Sequence, residues 1–416
     1  MELTLLGTGA PQGLPRAGCP CAACATAVGP EARAATSVLV EGTVLLDLTP
    51  GPAAAAARAG RSLVGVRQVL LSHPHGPHRR AGTGPATDGV PAPARVPTGG
   101  ELVVLDGLRI RAVPLDAPGP GHTGYDVTGP GGRRLLYLPP GCAPAADGTE
   151  AAAGPYHTVL LDAVSRPDGL ARLRATGAVT EATEVFAVHL DHHRPTGPEL
   201  RRRLAAAGVR VVPDGTTVTV GAATSGEAPR PDVPRPPRRT LVLGGARSGK
   251  SLEAERRLAA HPDVVYVATG GGAEGDPEWA ERLAAHRARR PAGWRTAETG
   301  DPVPLLAAAD PAPLLIDCLT LWLSRVMDEV GAWDDDTWRR TGQRALAERV
   351  AALVDAVRTT SRTVVAVSNE AGWGVVPATP AGRRFRDELG RLNRAVAAEC
   401  EEVLLVVAGT ALPLRG

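Results

Sequence analysis

The chain has 416 residues, too many for one ordinary domain, and 43% of them are hydrophobic, enough for sizeable cores. Its formal net charge is only +2, which excludes an electrostatic claim on nucleic acid or on a membrane surface. The basic residues are almost all arginine, and Lys250 is the only lysine. A composition that has replaced lysine everywhere else marks position 250 as one that needs an ammonium.

The N-terminal "MELTLLGTGA" has no basic region ahead of a long apolar core, so no signal peptide is expected. No apolar run reaches the ~18 residues of a membrane helix, and a cytoplasmic protein is the expectation. Through residue 220 short β-rich runs dominate: "LTLLG", "SVLVEGTVLLDL", "VRQVLLSH", "ELVVLDGLRIRAV", "RRLLYL", "TVLLDA", "EVFAVHL" and "VRVVPDGTTVTV". Glycine–proline loops separate them.

Two clusters stand out in this half. Cys19, Cys21 and Cys24 lie together, whereas Cys142, Cys318 and Cys400 are isolated. In a cytoplasmic chain such a cluster reads as a metal site before a disulfide. In "LSHPHGPH", His73, His75 and His78 have the spacing of the binuclear motif H-x-H-x-D-H, with Pro77 where the aspartate belongs.

Residues 221–238, rich in proline and small polar residues, read as a linker. Beyond it the rhythm changes. The apolar runs "TLVLGG", "VVYVATG", "PLLIDC", "TVVAVSN" and "EVLLVVAG" alternate with helical stretches, the signature of a buried parallel sheet. "LVLGGARSGKS" is a strand running into G-x-x-x-x-G-K-S, made of Gly244, Gly245, Ala246, Arg247, Ser248, Gly249, Lys250 and Ser251. Backbone N–H groups in such a loop curl around a phosphate, the lysine reaches the β/γ oxygens, and the serine holds magnesium. Asp317, after the run "PLLI", suits the second carboxylate of such a site. His286, followed by Arg287, Arg289 and Arg290, could attack an α-phosphorus while guanidiniums hold the charge. A solvated face is the plainer reading of that run.

From Arg239 onward the chain resembles the bifunctional adenosylcobinamide kinase / adenosylcobinamide-phosphate guanylyltransferases of cobalamin synthesis. The resemblance rests on "GGARSGKS", "YVATG", "HRARRPAGWRTAE", "LLIDCLTLWL", "VSNEAGWGVVP" and "FRDELGRLNRAVA", in that order. It implies two reactions. A nucleoside triphosphate phosphorylates the aminopropanol hydroxyl of adenosylcobinamide. GTP then guanylylates a histidine, here His286, and GMP passes to the cobinamide phosphate. The same resemblance implies nucleotide contacts from residues 244–251, from Ala268, Thr269 and Gly270, from Arg287, Ala288, Arg289 and Arg290, and from Glu298 and Asp317. It implies ATP, GTP and Mg2+ as small-molecule requirements, with Lys250, Asp317 and His286 as the catalytic set, and a homotrimer. "GGGAEGDPEW", ahead of the histidine, is two residues longer than in the family.

Residues 1 to about 220, through "LLGTGAPQGLPRAGCPCAAC" and "VLLSHPHGPH", resemble the metallo-β-lactamase superfamily. The nearest branch holds the phosphodiesterase of phosphonate breakdown and the B protein of pyrroloquinoline quinone synthesis. That branch implies a structural zinc on Cys19, Cys21, Cys24 and His192. His73, His75, His78, His122 and His189 fall on the superfamily's catalytic histidines, but its two aspartates are replaced, at Pro77 and near Pro140. A binuclear hydrolase is therefore not expected, and the histidines are vestigial or hold one metal.

The expected fold is α/β throughout: an αββα sandwich over 1–220, the linker, and a mostly parallel P-loop sheet flanked by helices over 239–416. The main alternative function is a metal-dependent phosphoester hydrolase with the nucleotide domain in support. A nucleotide-gated binding module is a third, against which Lys250, Ser251, Asp317 and His286 all argue.

Overall fold

The computed structural model describes residues 1–74, 90–97, 100–104, 107–145, 154–192, 197–221, 238–270 and 290–415. His75, Pro77, His78, His286, Arg287, Ala288, Arg289 and residues 222–237 of the expected linker lie outside them. The chain divides into two compact units, Met1–Pro236 and Pro237–Gly416.

The first unit is built on two larger sheets. Five strands run in the order Thr216–Thr219, Glu2–Gly7, Ser37–Val40, Val44–Leu46, Gln68–Leu70. Seven run in the order Val209–Arg210, Glu184–Ala187, Thr158–Leu161, Arg134–Tyr137, Gly124–Thr128, Arg109–Val113, Glu101–Val103. Leu3, Leu5, Val38 and Leu46 of the first sheet share one buried cluster with Ile110, Tyr125, Leu160 and Phe186 of the second. The alternate residues of both sheets are buried as well. Leu39 and Leu45 pack under helix Pro52–Arg58 through Ala55 and Ala56. Leu136, Val159 and Val185 of the second sheet are also covered, and helix Gly197–Ala206 contacts its Val209–Arg210 edge. This doubly covered pair of sheets is the expected helix–sheet–sheet–helix layering, because the central strands bury side chains on both faces.

The second unit is a seven-stranded sheet in the order Arg295–Glu298, Val265–Ala268, Leu314–Asp317, Val364–Asn369, Arg239–Gly244, Glu402–Val407, Thr410–Arg415. Every neighbouring pair is parallel except the last. The five apolar runs picked out in the sequence form its centre and are buried almost throughout. Helices Leu319–Glu329, Gln343–Thr359 and Pro380–Ala398 pack on one face through Leu323, Leu353 and Leu392. Helix Lys250–Leu258 covers the other through Ala254 and Leu258. Among the described residues, no helix is long and apolar enough to cross a membrane.

Candidate functional site

The parallel sheet delivers its polar residues to one end. Register places Glu298, Ala268 and Asp317 side by side at the C-terminal ends of three neighbouring strands. Asn369 and Gly244 are paired at the same ends of the next two. Ligands of open α/β sheets bind in this position.

The loop that leaves Gly244 is shaped by its two signature glycines. A Cβ on Gly244 would lie 2.5 Å from Ser248 Oγ and 2.6 Å from the Val406 carbonyl, so no side chain fits. Gly249 has φ +96°, where a larger residue is strained, and it caps helix Lys250–Leu258. Arg247 also has positive φ, +58°. Backbone amides that turn this way form a concave anion cradle at a helix N-terminus. Lys250 Nζ donates to the Gly245 carbonyl at 3.2 Å, across the mouth of the loop. Ser251 follows in the first turn of the helix, half-buried.

Asp317 accepts a hydrogen bond from Tyr266 Oη at 2.7 Å. Burial, and the charge of that carboxylate, push the Tyr266 phenol well above its ordinary value, so it remains a donor. The Arg290 guanidinium stacks on the same ring, 3.2 Å from its centroid, and donates to Thr296 Oγ1. A continuous contact therefore runs from the end of the histidine–arginine segment through Tyr266 to Asp317. Tyr266 was missed in the sequence, although it stands within the quoted "YVATG". Thr269 Oγ1 ties Gly270's strand exit to Cys318, donating to its carbonyl at 2.7 Å and accepting from its N–H at 3.0 Å. Glu298 is exposed at its strand end. Oxygen donors from Ser251 and Asp317 suit a hard cation such as magnesium.

In the first unit, Cys19, Cys21, Cys24 and His192 come together from positions up to 173 apart, their ligand atoms all within 4.8 Å of one another. Among the described residues this is the one group of three or more His, Cys, Asp or Glu side chains so gathered. His192 Nδ1 is 3.2 Å from Cys19 Sγ and 3.5 Å from Cys21 Sγ. The Cys24 N–H points at Cys21 Sγ from the first turn of helix Ala22–Thr26. That amide, and then His192, hold the Cys21 thiol down at about 6, in the range where the thiolate ligand is available at neutral pH. Burial moves Cys24 the other way. Three thiolates and an imidazole at these separations fit a closed tetrahedral zinc.

His73, His122 and His189 are arranged differently. His73 lies 6.5 Å from His122 and 6.2 Å from His189, measured between ring centroids. His122 Nδ1 faces the Gly119 carbonyl and His189 Nε2 the Leu138 carbonyl. Burial drives His189 down to about 3, so it is neutral, and its buried Nδ1 has no hydrogen-bond partner. The cavity between His73 and His189 holds about 20 Å³, room for one water. Among the described residues, these three do not gather into a metal-binding set. What the sequence missed here is Asp47, fully buried and bonded to Ser72 N–H at 2.6 Å and Tyr137 Oη at 2.6 Å. Burial alone would raise its pKa, but hydrogen bonds from His73 and Ser72 hold it at about 2. Asp47 follows the apolar run "VLL" as Asp317 follows "PLLI", the one signal that could have found it.

Comparison with known proteins follows the same division. The family described as cobinamide kinase / cobinamide phosphate guanyltransferase matches residues 240–414. The bifunctional adenosylcobalamin biosynthesis protein CobP of Pseudomonas aeruginosa is 45% identical over 185 residues, 43% of this chain and 98% of that protein. The corresponding CobU of Salmonella typhimurium is 38% identical over 180 residues, 42% of this chain and 98% of that protein. Two solved structures are similar at lower identity. A diphosphatase from the PhnP family covers 52% of this chain and 97% of its own, at 21% identity and a TM-score of 0.39. Zn(2+)-bound PqqB from Methylobacterium extorquens covers 53% and 100%, at 19% identity and a TM-score of 0.37.

Proposed function

Through residues 240–414 the chain belongs to the cobinamide kinase / cobinamide phosphate guanyltransferase family, and we propose that it performs both reactions on adenosylcobinamide at a single phosphate loop. In the first, the triphosphate sits in the amides of residues 244–251 with Lys250 on its β/γ oxygens. The substrate hydroxyl attacks the γ-phosphorus and the nucleoside diphosphate leaves. Magnesium held by Ser251 and Asp317 would withdraw charge from the same oxygens. In the second, the His286 imidazole attacks the α-phosphorus of GTP and pyrophosphate leaves. The cobinamide phosphate then takes GMP from the histidine nitrogen. Arg287, Arg289 and Arg290 balance the charge that develops, and Glu298 and residues 268–270 hold the nucleoside. The observation that supports this reading is the contact from Arg290 through Tyr266 to Asp317, the carboxylate at the same sheet end as the phosphate loop. Incubation of the purified chain with adenosylcobinamide, ATP and GTP tests it. A product with the mass of adenosylcobinamide-GDP is expected, and unchanged substrate would contradict the proposal.

For the first unit we propose a structural zinc on Cys19, Cys21, Cys24 and His192, and no hydrolysis. Metal analysis should return about one zinc per chain. Cys21→Ser should release it and destabilise this unit, because binding energy at such sites is folding energy. A loss of roughly 3 kcal/mol corresponds to a fall of about 10 °C in the melting temperature of a unit this size. A variant that keeps its zinc and its melting temperature would count against the site. Turnover of simple phosphodiesters, with zinc or manganese added, should be undetectable. The prolines at 77 and 140, where the carboxylate ligands are expected, are the reason. Measurable hydrolysis that disappears in His73→Ala would restore the hydrolase alternative.

A further inference from the structure

The proposed reactions need an acceptor site, and none of the residues assigned above supplies one. From Glu370, next to the phosphate loop, a cavity of about 330 Å³ runs along helix Pro380–Ala398, past Gly390, Asn393 and Arg394, to Val403, Leu414 and Arg415 of the last two strands. Three features mark this groove.

The first is its position. The Glu370 N–H donates to the carbonyl of Gly244, the first glycine of the phosphate loop, at 3.2 Å. Glu370 therefore begins the segment that leaves the sheet beside the phosphate loop. Its Oε1 accepts from the Gly372 N–H at 3.0 Å, which fixes the carboxylate and leaves its second oxygen able to accept another bond. The second feature is an unmet polar atom. Asn393 is 4% exposed, donates through Nδ2 to the Asn369 carbonyl at 3.0 Å, and has a buried Oδ1 with no partner. Such an acceptor is costly unless a ligand completes it. The third is Gly390. A glycine weakens the middle of a helix, yet a Cβ here would meet nothing within 4 Å. Gly390 is itself exposed, so a larger side chain there would stand at the open side of the cavity.

We propose that this cavity binds the acceptor arm of cobinamide, with Glu370 taking the proton from its terminal hydroxyl. This rests on the proposed function above. In the phosphoryl step the hydroxyl oxygen forms its bond to the γ-phosphorus as the bond to the β–γ bridging oxygen breaks. The hydroxyl proton passes to the Glu370 carboxylate and then to water. The amide of the arm meets Asn393 Oδ1. Once the arm ends in a phosphate, Arg394 supplies the cation that the second reaction's acceptor needs. The segment after Glu370 exposes Trp373 at 74% and Val375 at 95%. The face of a corrin macrocycle would cover this apolar surface.

Three variants of the full-length protein test the assignment. Each is assayed for phosphorylation of adenosylcobinamide and for labelling of the protein by α-labelled GTP, a half-reaction with no acceptor in it. Gly390→Leu places a side chain at the opening of the cavity. It should keep or raise the melting temperature, increase the KM for adenosylcobinamide about tenfold or more, and leave the KM for the nucleotide within about twofold. Glu370→Gln should lower kcat for phosphorylation about 10²-fold or more while labelling persists. Trp373→Ala should raise the acceptor KM with no change in oligomeric state. Wild-type acceptor kinetics in both Gly390→Leu and Glu370→Gln would overturn the assignment. A Trp373→Ala variant that changes oligomeric state but not acceptor KM would give that surface to a second copy of the chain and remove it from the substrate site. Wild-type protein that neither labels nor phosphorylates would instead sink the proposed function itself.

Discussion

Lys250→Ala should lower kcat/KM for both the kinase and the guanylyltransferase reaction by about 10²–10³-fold, the effect of removing one donor from a preorganised site, or about 2.7–4 kcal/mol. Both donors are triphosphates seated in one loop. Lys250 opens the helix behind that loop, directly after Gly249, and its ammonium already spans the mouth to the Gly245 carbonyl. The variant should fold normally, because the side chain is only half-buried and its departure leaves no cavity in the core. Lys250→Arg should not rescue activity. An ammonium is a compact point charge, whereas a guanidinium is a planar fork that cannot occupy the same seat. In a chain whose other basic residues are almost all arginine, the retention of one lysine already points that way. Steady-state assay of both reactions is the check. A variant with normal kinase activity and lost guanylylation would mean two separate triphosphate sites.

His286→Ala should abolish guanylyl transfer below detection while phosphorylation falls by no more than about tenfold. The asymmetry follows from covalency. The second reaction passes through a bond to the imidazole nitrogen, so removing that nitrogen removes the step and not merely some stabilisation of it. The first passes directly from triphosphate to hydroxyl and asks nothing of a histidine. Parallel assay of the two half-reactions separates these cases. Equal loss of both would make His286 a nucleotide contact and not a nucleophile.

How much of this was legible in the sequence depended on burial. The five central strands of the parallel sheet are covered on both faces, so each reads as an unbroken apolar run. The outer strands Arg295–Glu298 and Thr410–Arg415 are largely exposed, and "RTAE" and "TALPLR" gave no such run. Gly124–Thr128 is central and buried but was missed, because Asp126 interrupts its apolar pattern. The fold accommodates that charge with Arg134 on the adjoining strand at 2.7 Å. The site followed the same logic. Motif residues 244–251 announce themselves by local geometry that only glycine can adopt. Tyr266, Asn393 and Asp47 act through partners 24 to 90 positions away, which no local pattern records. The Cys19–Cys21–Cys24 cluster was visible by spacing alone, whereas His192 needed the family resemblance to be added to it.

The most direct test of the central claim is incubation of the purified chain with GTP labelled at the α-phosphorus, in the absence of any cobinamide. A P–N bond to histidine is predicted, so label should remain on the denatured protein, resist mild base, be released by acid, and be absent from His286→Ala. Protein that takes up no label, or label that survives acid or persists without His286, would contradict the account.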